Sequence, residues 1–488
     1  MVHLLNFEKT PQREDDVDSK SVNWWKMHNR FAWELIEDLL SGTLGMRSRR
    51  QQWLPKNDKE TVKSYLGRIE RSFLLEAFGD SIEDLAARPF SRPIVVEGAD
   101  EQLEKLIANV DMTGSNLTTF GQDVFRAGIT WGLTHILVDF PETTGIETLF
   151  QERAIGARPD FVHIRPQQLL SWTEDENQEL TSIKFQESRT VRTDSKFLDE
   201  EIQLIRHYTQ TEINIYQFNP DKSEWFLLTQ EPLVNTLGRI PLSTFYTKRV
   251  GNRMGMPPLL ALAWKNLEHW VSSSDQNNLL HFARVPILVA SGLSQVDMKG
   301  TIPIGGNRII KFQSDTAKLG FVEHSGKAIG AGKAALDDLK GEMAELGAEP
   351  LMEQPVPITA TEAGINAGRS QAPIQAWVND LDNTFDEAFG FAKAWTGEEL
   401  PEDFKTKIFN EFNLGTKANE DAERVMDLRK NRDISHETTI NEHKRRGILG
   451  ENITAEDEKQ KLEDEGPDLG MLTDIPPEVD DDNDEDED

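Results

Sequence analysis

The chain has 488 residues, a net charge of −32 and no cysteine. Its length exceeds one ordinary hydrophobic core and predicts two to four structural units. The missing thiols exclude disulfides and thiolate metal sites, and the acidic balance argues against a protein that grips nucleic-acid phosphates.

Residues 1–20 are polar and predict a mobile arm. Trp24, Trp25, His28, Phe31, Ala32, Leu35, Ile36, Leu39 and Leu40 follow helical spacing, so 22–41 is expected as one amphipathic helix ended by Gly42 and Gly45. One or two helices follow over 58–88, interrupted near Gly79. The prolines in Arg88–Pro93 then call for an extended connection. Leu117–Trp131 reads as helix and runs into a short buried strand, Thr134–Phe140, stopped by Pro141. The stretch 158–250 is β-rich. Phe161–Arg165, Ile183–Phe185, Ile202–Tyr208, Ile213–Phe218 and Trp225–Leu228 alternate apolar and polar residues, with a hairpin turn at Asn219–Lys222.

Prolines 257 and 258 suit the first turn of a long helix over 256–284, about 40 Å in length. Its apolar face holds Leu260, Ala263, Trp264, Leu267, Trp270 and Val271, and the Trp264–Trp270 stripe is expected to be core packing. Short strands and turns over 285–322 precede a second helix over 326–346. Three prolines and a glycine keep 347–360 out of a helix. A third long helix spans 361–396, and Pro373 within it predicts a kink. Three short helices over 416–465, one capped by Ser435, precede a disordered acidic tail. The overall class is α+β. No apolar run reaches the roughly 18 residues of a membrane span. The first residues lack the basic start and apolar stretch of a signal peptide.

Three sequence motifs resemble sites and fail on chemistry. Gly326–Ala334 resembles a phosphate loop, but its spacing is off by one and Ala334 follows Lys333 where a magnesium-binding hydroxyl is required. His436, Glu437 and His443 place the two histidines seven apart instead of the four that lets both reach one metal, and no third ligand accompanies them. The acidic run 480–488 has Glu485 where a calcium loop needs glycine. No catalytic centre, metal site or cofactor is expected.

Several segments resemble the portal proteins of tailed double-stranded DNA phages, in particular a family long catalogued as a domain of unknown function. They are Tyr65–Arg68, Asp84–Phe90, Ile136–Pro141, Arg165–Trp172, Arg239–Tyr246, Pro257–Ala263, Asn266–Trp270, Ser274–Gln276, His281–Ile287, Ile434–Thr438 and Lys444–Leu449. The resemblance covers roughly 60–465, and the predicted element order agrees with it. It implies a portal fold: a wing over 21–255, a stem helix at 256–284 and a small β clip at 285–322. A second stem helix at 323–346, a tunnel loop at 347–360 and a long kinked helix at 361–396 follow. A wing strand and helical crown occupy 397–470, before a disordered tail at 471–488.

The implied function is a homo-dodecameric ring at one capsid vertex, through which the genome is packaged and ejected. The implied partners are the terminase large subunit, the head–tail adaptor, the major capsid protein and scaffold. Double-stranded DNA passes non-specifically, no membrane is involved, and the location is the virion after assembly in the bacterial cytoplasm. Under this reading Glu349, Met352, Glu353, Gln354 and Val356 line the tunnel loop and touch DNA. Lys327, Lys333, Asp337, Asp338, Lys340, Glu342 and Glu345 form the channel wall, though the four carboxylates cannot all face one direction at helical spacing. Asp297, Lys299, Arg308, Lys311 and Lys318 dock partners at the clip. The rivals are another structural virion or scaffold protein, without an axial channel, and a hydrolase or nuclease, which requires a clustered site.

Overall fold

Apolar residues at three- and four-residue spacing build the first helices, α1 (Val22–Arg30), α2 (Trp33–Leu40) and α3 (Gly42–Ser48). The structure is a computed structural model that describes residues 17–30, 32–140, 157–192, 199–232, 239–284, 287–292, 316–322, 327–347, 360–395, 397–410, 418–445, 448–450 and 453–465. The single helix expected over 22–41 is therefore two. Ala32 takes left-handed angles, φ 48°, at the break. Trp24 and Trp33 are nine residues apart, which on a straight helix places them on opposite sides. The break instead brings their rings edge to face at 6.4 Å, both buried.

Next come α4 (Val62–Glu70) and α5 (Ala77–Ala87). The interruption expected near Gly79 falls earlier, at 71–76, and Gly79 lies inside α5. Tertiary partners move the break: Arg47 donates to the carbonyls of Glu70 and Ser72, satisfying backbone groups that a continuous helix would pair internally. Pro89–Ser91 forms a short 3₁₀ turn before the chain extends at Arg92, so the connection is only partly extended. Strand β1 (Val95–Glu97), α6 (Glu101–Ala108) and α7 (Leu117–Trp131) follow. Asn116 caps α7 by accepting from the Thr119 amide at 2.9 Å.

Two antiparallel sheets carry the centre of the unit. One orders β3 (Asp160–Ile164), β2 (Leu133–Asp139) and β9 (Leu242–Tyr246). Strand β2 is central and buried along most of its length, as its unbroken apolar run requires. The other sheet runs in sequence order through β4 (Leu169–Glu174), β5 (Leu180–Arg192), β6 (Asp199–Thr209), β7 (Glu212–Asn219) and β8 (Glu224–Pro232). The alternation pattern had not singled out β4 or β9. The expected hairpin turn joins β7 to β8, with Asn219 Oδ1 accepting from the amides of Asp221 and Lys222.

Leu137, Ile164 and Leu242 of the first sheet pack with Leu169, Trp172, Ile183, Phe185 and Tyr208 of the second, and Trp24 of α1 joins them. A polar bridge crosses the same junction. Asp139 on β2 accepts from Arg206 and Tyr208 on β6, and Arg206 also donates to Glu187 on β5 at 3.1 Å.

Short pairs β10 (Arg249–Gly251) with β11 (Met254–Gly255), and later β12 (Ile287–Ser291) with β13 (Lys318–Val322), flank helix α8 (Leu260–Ala283). Helix α9 (Lys327–Leu346) and the long α10 (Ala360–Trp395) follow. The helical assignment of α10 runs through Pro373 without interruption. Strand β14 (Lys405–Lys407) pairs with β1. Three aspartates of α10 hold strand edges and the adjoining chain. Asp380 accepts from the Tyr246 amide, Asp382 from that of Ile408, and Asp386 from that of Thr406.

Met1–Asn410 forms one compact unit and Glu411–Asp488 a second. The second contains the three expected short helices, α11 (Ala418–Lys430), α12 (His436–Arg445) and α13 (Ala455–Glu465). Ser435 Oγ accepts from the Thr438 amide at 3.0 Å, the cap read from the sequence. Among the described residues no helix is long and apolar enough to cross a membrane.

Candidate functional site

Helix α8 begins where Pro257 and Pro258 end the preceding turn, and the Leu260 amide donates to the Pro257 carbonyl. Its buried residues are Leu262, Ala263, Asn266, His269, Trp270 and Ser274, an i, i+3/i+4 stripe on one side. Trp270 is core, as expected. Trp264 is not: it is 46% exposed, because at 100° per residue it falls outside that stripe.

Polar contacts set the position of α8. Helix α5 has no capping side chain of its own. Asn266 supplies one from outside: its Oδ1 accepts from the Phe78 amide at 3.0 Å, and its Nδ2 donates to the Leu75 carbonyl at 2.8 Å. Ser72 Oγ and Ser274 Oγ are 2.8 Å apart. Buried Arg68 reaches Asp275 at 3.5 Å and holds Glu60 at 2.9 Å. That guanidinium keeps the Glu60 carboxyl below its ordinary range. Tyr65 OH donates to the Leu54 carbonyl at 2.9 Å.

Helix α9 packs antiparallel to α8. Gln276, late in α8, donates to the Ile329 carbonyl near the start of α9 at 2.9 Å. Lys265, early in α8, pairs with Glu342 near the end of α9 at 2.7 Å. Gly332 permits the approach, since a Cβ there would stand 2.1 Å from Gln276 Oε1. The glycine-rich run that failed as a phosphate loop thus has a packing role. Leu339 and Met343 of α9 are buried. His269 is buried with neither ring nitrogen hydrogen-bonded among the described residues; burial first, and then the charge of Lys340, push its pKa down.

The expected wall residues separate on this geometry. Lys333, Asp337, Asp338, Glu342 and Glu345 are exposed and Lys340 is half-buried; the side chain of Lys327 lies outside the described residues. Glu342 pairs with Lys265 of the neighbouring helix and so serves the helix pair. Asp337, Asp338 and Glu345 remain within about 100° of arc on the solvent side of α9. Of the clip residues, Lys318 is exposed at the start of β13, while Asp297, Lys299, Arg308 and Lys311 lie outside the described residues. The tunnel-loop residues Glu349, Met352, Glu353, Gln354 and Val356 also lie outside them. Pro373 is exposed on α10.

Sequence reading missed Asn266 as a cap and Asp380, Asp382 and Asp386 as strand-edge acceptors. In a chain with 85 Asp and Glu, individual carboxylates carry no local signal. A capping residue that is distant in sequence has none either.

Residues 258–396, from just before α8 to just after α10, match a family model described as a domain of unknown function, DUF4055. A search of curated proteins found no match. Similar chains occur in solved structures of gene transfer agent particles. They are the virion of the native particle (10% identity, TM-score 0.42), the neck of the empty particle computed with C6 symmetry (11%, 0.41) and the neck of the native particle computed with C12 symmetry (12%, 0.40). Each comparison covers 72% of this chain and 84% of the other.

Proposed function

We propose that this chain is the portal subunit of a tailed phage or phage-like particle. Twelve copies form a ring at one capsid vertex, and double-stranded DNA passes along its axis. One observation carries the reading. The antiparallel pair α8–α9 is bolted to the wing by buried polar contacts and holds the β12–β13 pair between its two helices in sequence. A proline-rich connection and the long α10 follow, in the order that the sequence resemblance implies.

In this reading α9 turns Asp337, Asp338 and Glu345 toward the axis. Repeated around a ring, their charge repels phosphate and keeps DNA from adhering to the wall. The loop 347–360 projects toward the DNA, with Met352 and Val356 touching it without a phosphate grip. Pro373 bends α10 where that loop returns to the wing. The clip, including Lys318, docks the terminase large subunit during packaging and the head–tail adaptor afterwards, while the wing meets capsid and scaffold. ATP hydrolysis belongs to the terminase.

The test is the native mass of the purified chain by light scattering, with negative-stain images of the same fraction. A cyclic assembly of roughly 660 kDa with an axial hole is expected. A compact dimer with no ring form under any assembly condition overturns the proposal.

A further inference from the structure

The five-stranded sheet has two edges, and only one of them is closed among the described residues. At the β4 edge the Leu170 carbonyl accepts from the Ser21 amide at 2.8 Å, and Trp24 of α1 shares the core with Leu169 and Trp172 of that strand. At the other edge β8 pairs with β7 alone. An open edge offers unpaired backbone groups, and proteins ordinarily guard it with lysine, proline or a very short strand. Strand β8 has nine residues, no Lys or Arg, and proline only at its last position. A single bulge interrupts it, with Leu228 as the extra residue. Phe226, Leu227 and Leu228 stand in a row, 40%, 47% and 50% exposed. Successive strand residues point to opposite faces, so Phe226 and Leu227 put apolar surface on both sides of this edge.

The chain's own first residues match this edge. Residues 1–16 lie outside the described residues, and within them Val2–Phe7 reads Val-His-Leu-Leu-Asn-Phe. Neither Val2–Phe7 nor Trp225–Gln230 contains Asp, Glu, Lys, Arg, Pro or Gly. In an extended strand Val2 and Leu4 fall on one face and Leu5 and Phe7 on the other, so this segment, like β8, carries apolar side chains on both faces. Its attachment is already on the sheet. Ser21 bonds to β4, and Ser19 Oγ accepts from Lys184 Nζ on β5 at 3.3 Å. From β5 to the open position beside β8 is four strand spacings, about 19 Å. The eleven residues 8–18 reach about 35 Å when extended. A tether this short keeps the segment at an effective concentration in the millimolar range beside its own sheet, which selects its own β8 over that of a second copy.

We propose that Val2–Phe7 docks on β8 of its own chain as a sixth strand of this sheet. The proposal goes beyond the ring reading and does not depend on it. One N-terminal stretch then closes both edges, Ser21 at β4 and Val2–Phe7 at β8. The added strand supplies backbone partners along β8 and covers Phe226, Leu227 and Leu228. While it is in place, edge-to-edge pairing between chains through β8 is blocked.

Amide hydrogen exchange on the full chain reads both partners. Val2–Phe7 and Trp225–Gln230 are expected to exchange at least about tenfold more slowly than an unstructured chain. Leu5→Pro removes a backbone donor from the segment and is expected to release the protection of both stretches while leaving that of β5 and β6 unchanged. Free exchange of Val2–Phe7 in the wild-type chain overturns the proposal. Protection of Trp225–Gln230 that survives Leu5→Pro overturns it in favour of another occupant. Because the chain has no cysteine, the double variant Leu5→Cys, Leu227→Cys supplies the two thiols for a bis-maleimide. A crosslink within one chain, at monomer mass on a denaturing gel, is expected. Crosslinks formed only between chains overturn the proposal in favour of the first residues of a second copy.

Discussion

Asp160 shows how burial can turn an ordinary surface residue into a pH-dependent one. It pairs across β3 and β2 with Asp139, and its pKa is raised to about 7, first by burial and then by that neighbouring carboxylate. The folded chain therefore holds this proton more tightly than the unfolded chain does. The contribution to stability is fully present below the ordinary value of 3.8 and is lost as pH rises through about 7. Asp160→Asn is expected to flatten the fall in melting temperature between pH 4 and 8, since the amide does not ionise. Melting curves across that range check it, and an unchanged slope contradicts the assignment. Nothing in the sequence around Asp160 announces the effect. The acid beside it, Asp139, lies 21 positions away and meets it only through strand pairing.

At the scale of elements, the α8–α5 junction depends on one amide. Asn266→Ala would leave the Phe78 amide and the Leu75 carbonyl without their partners in a buried place. A loss of about 1–3 kcal/mol is expected from unsatisfied buried groups, measured by chemical denaturation. The helices themselves were legible in the sequence because the 3.6-residue period is local. Leu117–Trp131 and the helices after residue 256 fall within a few residues of their expected limits. The errors came where distant groups intervene. Trp33 packs against both Trp24 and Trp131, which breaks the first helix. Arg47 and Asn266 satisfy backbone groups between α4 and α5, which shifts that break away from Gly79. Strand β9 was missed because its burial comes from pairing with β2, more than a hundred residues earlier; β4 pairs locally with β5, but its register shifts twice and its apolar residues do not alternate cleanly.

For the whole molecule, the proposed conduit makes the exposed acids of α9 a collective property. One carboxylate repels weakly across water, but a ring repeats each one at a fixed radius. Converting Asp337→Asn, Asp338→Asn and Glu345→Gln together is expected to raise the affinity of the ring for duplex DNA at low salt. The difference should shrink near 0.15 M salt, where the screening length is about 8 Å. Fluorescence anisotropy with labelled duplex measures both, and unchanged affinity at low salt contradicts a wall-charge role. Glu342→Gln is expected to act on the helix pair instead, because that carboxylate is occupied by Lys265.

The sequence by itself determined the α+β class, the run of long helices after residue 256, the short C-terminal helices and the acidity of the chain. Each is a local or summed property, read from spacing, proline position and charge. It also carried the resemblance from which the portal reading starts. Only the tertiary structure decided which side chains are available. It paired Glu342 with Lys265, left Trp264 in solvent, and gave Asn266 a helix end to cap. Those outcomes depend on contacts between residues far apart in the chain, and periodicity carries no information about which distant partner a side chain will meet.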